Sequence, residues 1–206
     1  MKRFALIALG LASLLAAPAV GQSYVSDAEP FLSGVQDRDG DKVTSLLDTR
    51  PTLINSRNLK GQIALNVVIA RSDDTWLRFL LGRGADPNLA ASNGDTPLIA
   101  AARVGFTDAI EILLARGAKV NIANRMGETP LIIAVQQRQL PAVKLLLAKG
   151  ADPDKRDTAA GYSAREYAKR DTRNRELLAA IEAAKTPTKT PAAKPKSDDL
   201  DSFKLN

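Results

Sequence analysis

The run Asp37-Arg38-Asp39-Gly40-Asp41 sets carboxylates at alternate positions around a glycine, which is how calcium loops present their oxygens. The spacing fails that chemistry. A loop of that class needs Gly at its sixth position and Glu at its twelfth, whereas counting from Asp37 puts Gly40 fourth and Asp48, a shorter acid, twelfth. The run therefore reads as a polar turn between two helices. Composition closes other routes to catalysis, because the 206 residues contain no cysteine and no histidine. Disulfides, thiolate nucleophiles and imidazole bases are excluded. Zinc sites are built almost entirely from Cys and His, and a nucleophilic Ser normally needs a His to take its proton. No phosphate-cradling Gly-Lys-Ser loop or dinucleotide glycine cluster occurs. An enzyme working through Asp or Glu would need two carboxylates converging in a cleft with perturbed pKa values, and the acids here are scattered. The chain reads as a non-enzyme with no cofactor and no metal.

The elements that would position any site follow from composition. Hydrophobic residues make up 45% of the chain, as in a globular protein, yet aromatic residues only 4%. The apolar mass is Ala, Leu, Ile and Val, which suits closely packed helices and an all-α fold. The formal net charge is +6, and without Lys2 and Arg3 there are 27 basic against 23 acidic residues. That excess is mild and spread along the chain, whereas nucleic-acid binding shows a concentrated basic face with stacking aromatics. No nucleic-acid partner is expected.

Residues 1–21 read as a signal peptide: basic Lys2 and Arg3, then the apolar run Phe4 to Ala17, then small residues. The run is shorter than the ~20 apolar residues that cross a bilayer. Ala17-Pro18-Ala19 and Ala19-Val20-Gly21 place cleavage after Ala19 or Gly21. With no cysteine to carry a lipid, the mature chain is expected to be periplasmic or secreted, without stable membrane insertion after cleavage.

Self-comparison gives the organisation of the rest. Gly61, Gly94 and Gly127 recur every 33 residues, and so do Gly84, Gly117 and Gly150. Around the first series stand Gly94-Asp95-Thr96-Pro97-Leu98 and Gly127-Glu128-Thr129-Pro130-Leu131. Around the second, Leu80-Leu81, Leu113-Leu114 and Leu146-Leu147 each precede a Gly-Ala turn. Over about Asp27 to Ala184 this resembles the ankyrin repeat family, which implies an all-α solenoid of helix-turn-helix units joined by short β-turn fingers. About five repeats are expected, counting degenerate caps, with clear copies starting near Asn58, Ala91 and Asn124.

Each signature residue also has a physical reason. Thr96 and Thr129 can cap a helix while Pro97 and Pro130 occupy its first turn at no cost in hydrogen bonds. Ala100, Ala101 and Ala102 give that helix a thin face, Gly105 breaks it, and Ile110, Leu113 and Leu114 form the apolar face of a second helix. Gly117 stands where a left-handed residue would close that second helix. From Ala118 to Gly127 the chain is read as an extended finger. The ends depart from the pattern as caps should: Pro51-Thr52-Leu53-Ile54-Asn55 replaces the Gly-Ala turn, and Gly161-Tyr162-Ser163-Ala164 arrives one residue late. Gly61-Gln62-Ile63-Ala64-Leu65 has lost the Thr-Pro pair.

Residues 185–206 are expected to be a disordered Lys/Pro/Thr-rich tail ending in an acidic and apolar stretch. The resemblance places ligands on the concave face, made of finger tips and the exposed side of the first helices. Counting through the repeats puts Leu59, Lys60, Gln62 and Arg71 there, then Ser92, Asn93, Asp95, Arg103 and Val104, then Arg125, Met126, Glu128, Gln136 and Gln137. Basic members outnumber acids, so the expected partner is another protein with an acidic or mixed-polar patch, met near Arg103 and Arg125, with Met126 as an adaptable apolar contact. The reading is a protein-interaction module that docks on or stabilises another exported protein; the alternative is a secreted effector binding a protein of another cell.

Overall fold

The computed structural model describes residues 22–184; residues 1–21 and 185–206, with the expected signal peptide and tail, lie outside the described residues. Among the described residues ten α-helices follow one another in pairs: α1 (Gln22–Asp37) with α2 (Gly40–Thr49), α3 (Ala64–Ala70) with α4 (Asp74–Gly82), and α5 (Pro97–Val104) with α6 (Thr107–Ala115). Then come α7 (Pro130–Gln136) with α8 (Leu140–Ala148), and α9 (Ala164–Arg170) with α10 (Arg175–Ala183). Each helix packs on its pair mate. The first helices also stack in order, α1 on α3, α3 on α5, α5 on α7 and α7 on α9, while α4, α6, α8 and α10 form the second layer. This is the expected solenoid.

The caps form as their chemistry requires. Thr96 Oγ1 accepts from the Ile99 N–H at 3.3 Å and Thr129 Oγ1 from the Ile132 N–H at 3.2 Å, each with Pro in the first turn. Ile63 stands where α3 would need such a cap, and α3 has no side-chain cap. At the last repeat Ser163 and Glu166 form a reciprocal capping box, so the late register still starts a helix. The second helices use acids and amides: Asp39, Asp73 and Asn174 accept first-turn N–H groups of α2, α4 and α10.

The thin face of the first helices is what lets them stack. Ala101, Ala102 and Ala134 are fully buried between larger residues such as Ile99, Leu131 and Ile132. The glycine series do two different jobs. Gly94, at φ +88°, would place a Cβ only 2.6 Å from the Arg125 backbone nitrogen, so the finger above needs its hydrogen. Gly117, at φ +87°, has open space beside it and is required by its left-handed backbone alone. Three further left-handed positions between paired helices are not glycine: Arg38, Ser72 and Arg138, with Gly105 filling the same place in the third repeat.

The fingers are short turns, as the β-turn reading has them. Most are hydrogen-bonded turns, and among the described residues the one isolated bridge is Arg156 with Ser163. Asn58, Asn93 and Asn124 accept finger N–H groups through their side chains, and Asp157 does so for Ala160 and Gly161. In the first repeat Pro51–Asn55 is a 3₁₀ turn that packs on α2 and α1.

Candidate protein-docking face

Of the expected binding residues, Lys60, Gln62, Arg71 and Asn93 come together on the finger side of the first-helix layer. A cavity of about 540 Å³ opens there between two successive fingers. Its walls are Gln36 from α1, Lys60 to Gln62 from one finger, Asn66, Val67 and Ala70 from α3 with Arg71 at its end, and Ala91 and Asn93 from the next finger.

Apolar exposure singles out this face. Among the described residues the exposed large hydrophobics are Leu59 at 76%, Met126 at 52% and Val104 at 41%. Leu59 and Met126 are finger tips and Val104 ends α5, so all three fall within the set counted from the repeats.

The charged members divide into two groups. Lys60 and Arg125 are exposed and make no ion pair among the described residues. Arg103, Asp95, Arg71 and Glu128 are instead spent within the fold. Asp95 is only 7% exposed. Its Oδ2 accepts from Arg103 Nη2 at 2.7 Å and from Asn93 Nδ2 at 2.9 Å, and its Oδ1 from Asn124 Nδ2 at 3.0 Å. Through Asn124 it ties its finger to the next one. Glu128 accepts from Asn124 Nδ2 at 2.9 Å and from Gln136 Nε2 at 3.1 Å.

Arg71 straps α3 to α1. Its Nη1 donates to the Val35 and Gln36 carbonyls at 2.9 and 3.1 Å, and its Nε to Asp73 Oδ2 at 3.1 Å. The Arg71 guanidinium lies 6.0 Å from the Trp76 ring centroid. Burial pushes Asp73 up, but the Trp76 N–H together with Arg71 and Arg38 outweighs it and holds the carboxyl below its ordinary 3.8. Of the remaining expected residues, Gln62, Ser92 and Gln137 are exposed, as is Asn93 despite its bond to Asp95.

Sequence reasoning missed a ladder of asparagines on the loops that follow the second helices. Asn88 Nδ2 donates to the Gly117 carbonyl at 3.0 Å while its Oδ1 accepts the Lys119 N–H at 2.8 Å. Asn55 does the same to Gly84 and Asp86, and Asn121 to Gly150 and Asp152. An amide is needed because each rung must donate and accept. At the next position stands Asp154, whose carboxylate takes Arg165 at 2.7 Å in the final repeat. The 33-residue spacing of Asn55, Asn88 and Asn121 was the available signal.

No helix among the described residues is long and apolar enough to cross a membrane. No group of three or more His, Cys, Asp or Glu among them could hold a metal ion. A search of curated proteins returned no match. A protein-family comparison matches the description "Ankyrin repeats (3 copies)" over residues 35–123 and again over residues 65–157, together more than half of the chain.

Proposed function

The chain belongs to the ankyrin repeat family, whose members generally act as non-catalytic protein-binding modules, and from that premise we propose that it is an exported docking protein of the periplasm. Its finger-side face receives another protein of that compartment. The observation that carries this reading is the exposure of Leu59, Val104 and Met126 in three successive repeats, with Lys60 and Arg125, which make no ion pair among the described residues, on the same fingers as Leu59 and Met126. Apolar tips flanked by charge fit the usual make-up of an interface, with anchors at the centre and polar groups at the rim. The basic pair favours a partner whose contact patch is acidic or mixed-polar. The start at Lys2 and Arg3 with its apolar run supports export.

Pull-down from a periplasmic extract with the mature chain tests the reading. A Leu59→Ser/Met126→Ser double variant is run beside it, with Lys144→Ser on the second-helix layer as a control. The expected outcome is a partner held by the wild type and the control and lost by the double variant. Retention by all three would move the site off this face.

A further inference from the structure

We propose that the cavity between the first two stacked fingers seats an Asp or Glu side chain of the partner, carried on an extended stretch of its backbone; this rests on the docking face above. The cavity, about 540 Å³, is in the size range of small-ligand sites, roughly 300–1,000 Å³. Its polar wall is Gln36, Lys60, Gln62, Asn66, Arg71 and Asn93, and no carboxylate lines it.

Charge around it is unbalanced. Arg38 and Arg71 both aim Nε at one oxygen, Asp73 Oδ2, at 2.8 and 3.1 Å. Lys60 has no ion pair among the described residues. Glu29 reaches the same finger, but its Oε1 accepts the Leu59 N–H at 2.7 Å. Asp95, bonded to the lining Asn93, is matched by Arg103, so three acids stand against four cations.

Hydrogen bonding is also incomplete, in a way that defines the occupant. Arg71 Nη2 and Asn66 Oδ1 are buried and have no hydrogen-bond partner. Asn66 Nδ2 donates to the Asp95 carbonyl at 3.2 Å, which fixes the amide oxygen as its other end. Both residues line the cavity, so an occupant meets an N–H without an acceptor and an oxygen without a donor once the two side chains turn toward it. An acidic residue in an extended chain supplies both. Its carboxylate accepts from Arg71 and Lys60, and a backbone N–H donates to Asn66. A lysine would meet like charge, and an aliphatic residue would leave the Arg71 N–H unmet. Leu59 on the same finger gives the segment an apolar neighbour to cover.

Selection of displayed random dodecapeptides on the immobilised full chain tests the assignment. The enriched peptides should carry Asp or Glu next to an apolar residue. The best clone, made as a soluble peptide, should bind Lys60→Gln about tenfold more weakly than wild type, as loss of a charge-assisted contact requires. Its own Asp→Asn or Glu→Gln version should weaken likewise. In ¹⁵N spectra the Arg71 Nε–H and the Asn66 side-chain amide should shift on titration. Enrichment of neutral or basic peptides, no enrichment, or undiminished binding to Lys60→Gln would each overturn it. Shifts confined to Arg125 and Met126 would sink the cavity assignment while leaving the docking face standing. Shifts confined to α4, α6 and α8 would sink both.

Discussion

Arg103 Nη2 lies 2.7 Å from Asp95 Oδ2, which ties the cation expected at the centre of the binding face to a carboxylate that is itself buried. Asp95 joins Asn93, Arg103 and Asn124, so it works as a hub of the finger stack. Asp95→Ala should cost about 2–4 kcal/mol, since it leaves several donors without an acceptor, and Arg103→Ala about 1 kcal/mol. Urea denaturation of the two variants checks the order. Equal losses would contradict the hub.

The asparagine ladder makes a second expectation. Asn88→Ala removes a donor and an acceptor at once and should cost about 1–2 kcal/mol. Asn88→Asp keeps the acceptor for Lys119 and loses the donor to Gly117, so it should fall between wild type and Asn88→Ala. Asn121→Ala should behave like Asn88→Ala, and thermal unfolding of the set would show it.

Backbone strain at Ser72 can be relieved. Ser72 holds φ +55°, and Ser72→Gly should stabilise by about 0.5–1 kcal/mol, because only glycine takes that region freely. Arg38, at φ +59°, should show no such gain, because glycine there also forfeits the ion pair to Asp73. A rise in midpoint for the first and none for the second is the expected pattern.

Gly94→Ala should cost more than Gly117→Ala, although the two share nearly one φ. The added methyl meets the Arg125 backbone in the first case and open space in the second. Chemical denaturation midpoints decide it, and equal losses would show that the fingers can part without penalty.

Much of this was legible in the sequence, for physical reasons. Thr-Pro pairs, left-handed glycines and buried alanines act locally or at fixed repeat spacing, so the period exposes them. The fate of Arg71 and Arg103 was not legible. Counting puts both on the binding face, but whether a long cation points to solvent or back to Val35, Asp73 or Asp95 depends on neighbours in other helices. Asp95 shows the same limit, since one of the groups that holds its carboxylate is Asn124 on the next finger. The distinction between Gly94 and Gly117 needed the distance to the next finger.

Acid should unfold the chain by a predictable route. The Asp73 and Asp157 carboxyls lie below their ordinary value in the fold. In each, burial acts upward and is outweighed, at Asp73 by Trp76 and its arginines and at Asp157 by the Tyr167 hydroxyl and finger N–H groups. Asp171 is lowered chiefly by Arg138, and Glu166 chiefly by the Ser163 N–H. At about pH 4 the unfolded chain therefore binds more protons than the folded one, so stability falls as pH drops through that range. With no histidine, it should stay level between about pH 5 and 8. Asp73→Asn should flatten the acid limb in a pH series of urea midpoints.

Calorimetric titration of the captured partner into the wild type and into the folded Leu59→Ser/Met126→Ser variant would test most directly that the finger-side face is the docking surface. The dissociation constant should rise at least about tenfold in the variant, as for loss of interface anchors. An unchanged constant, with both proteins folded, would contradict it.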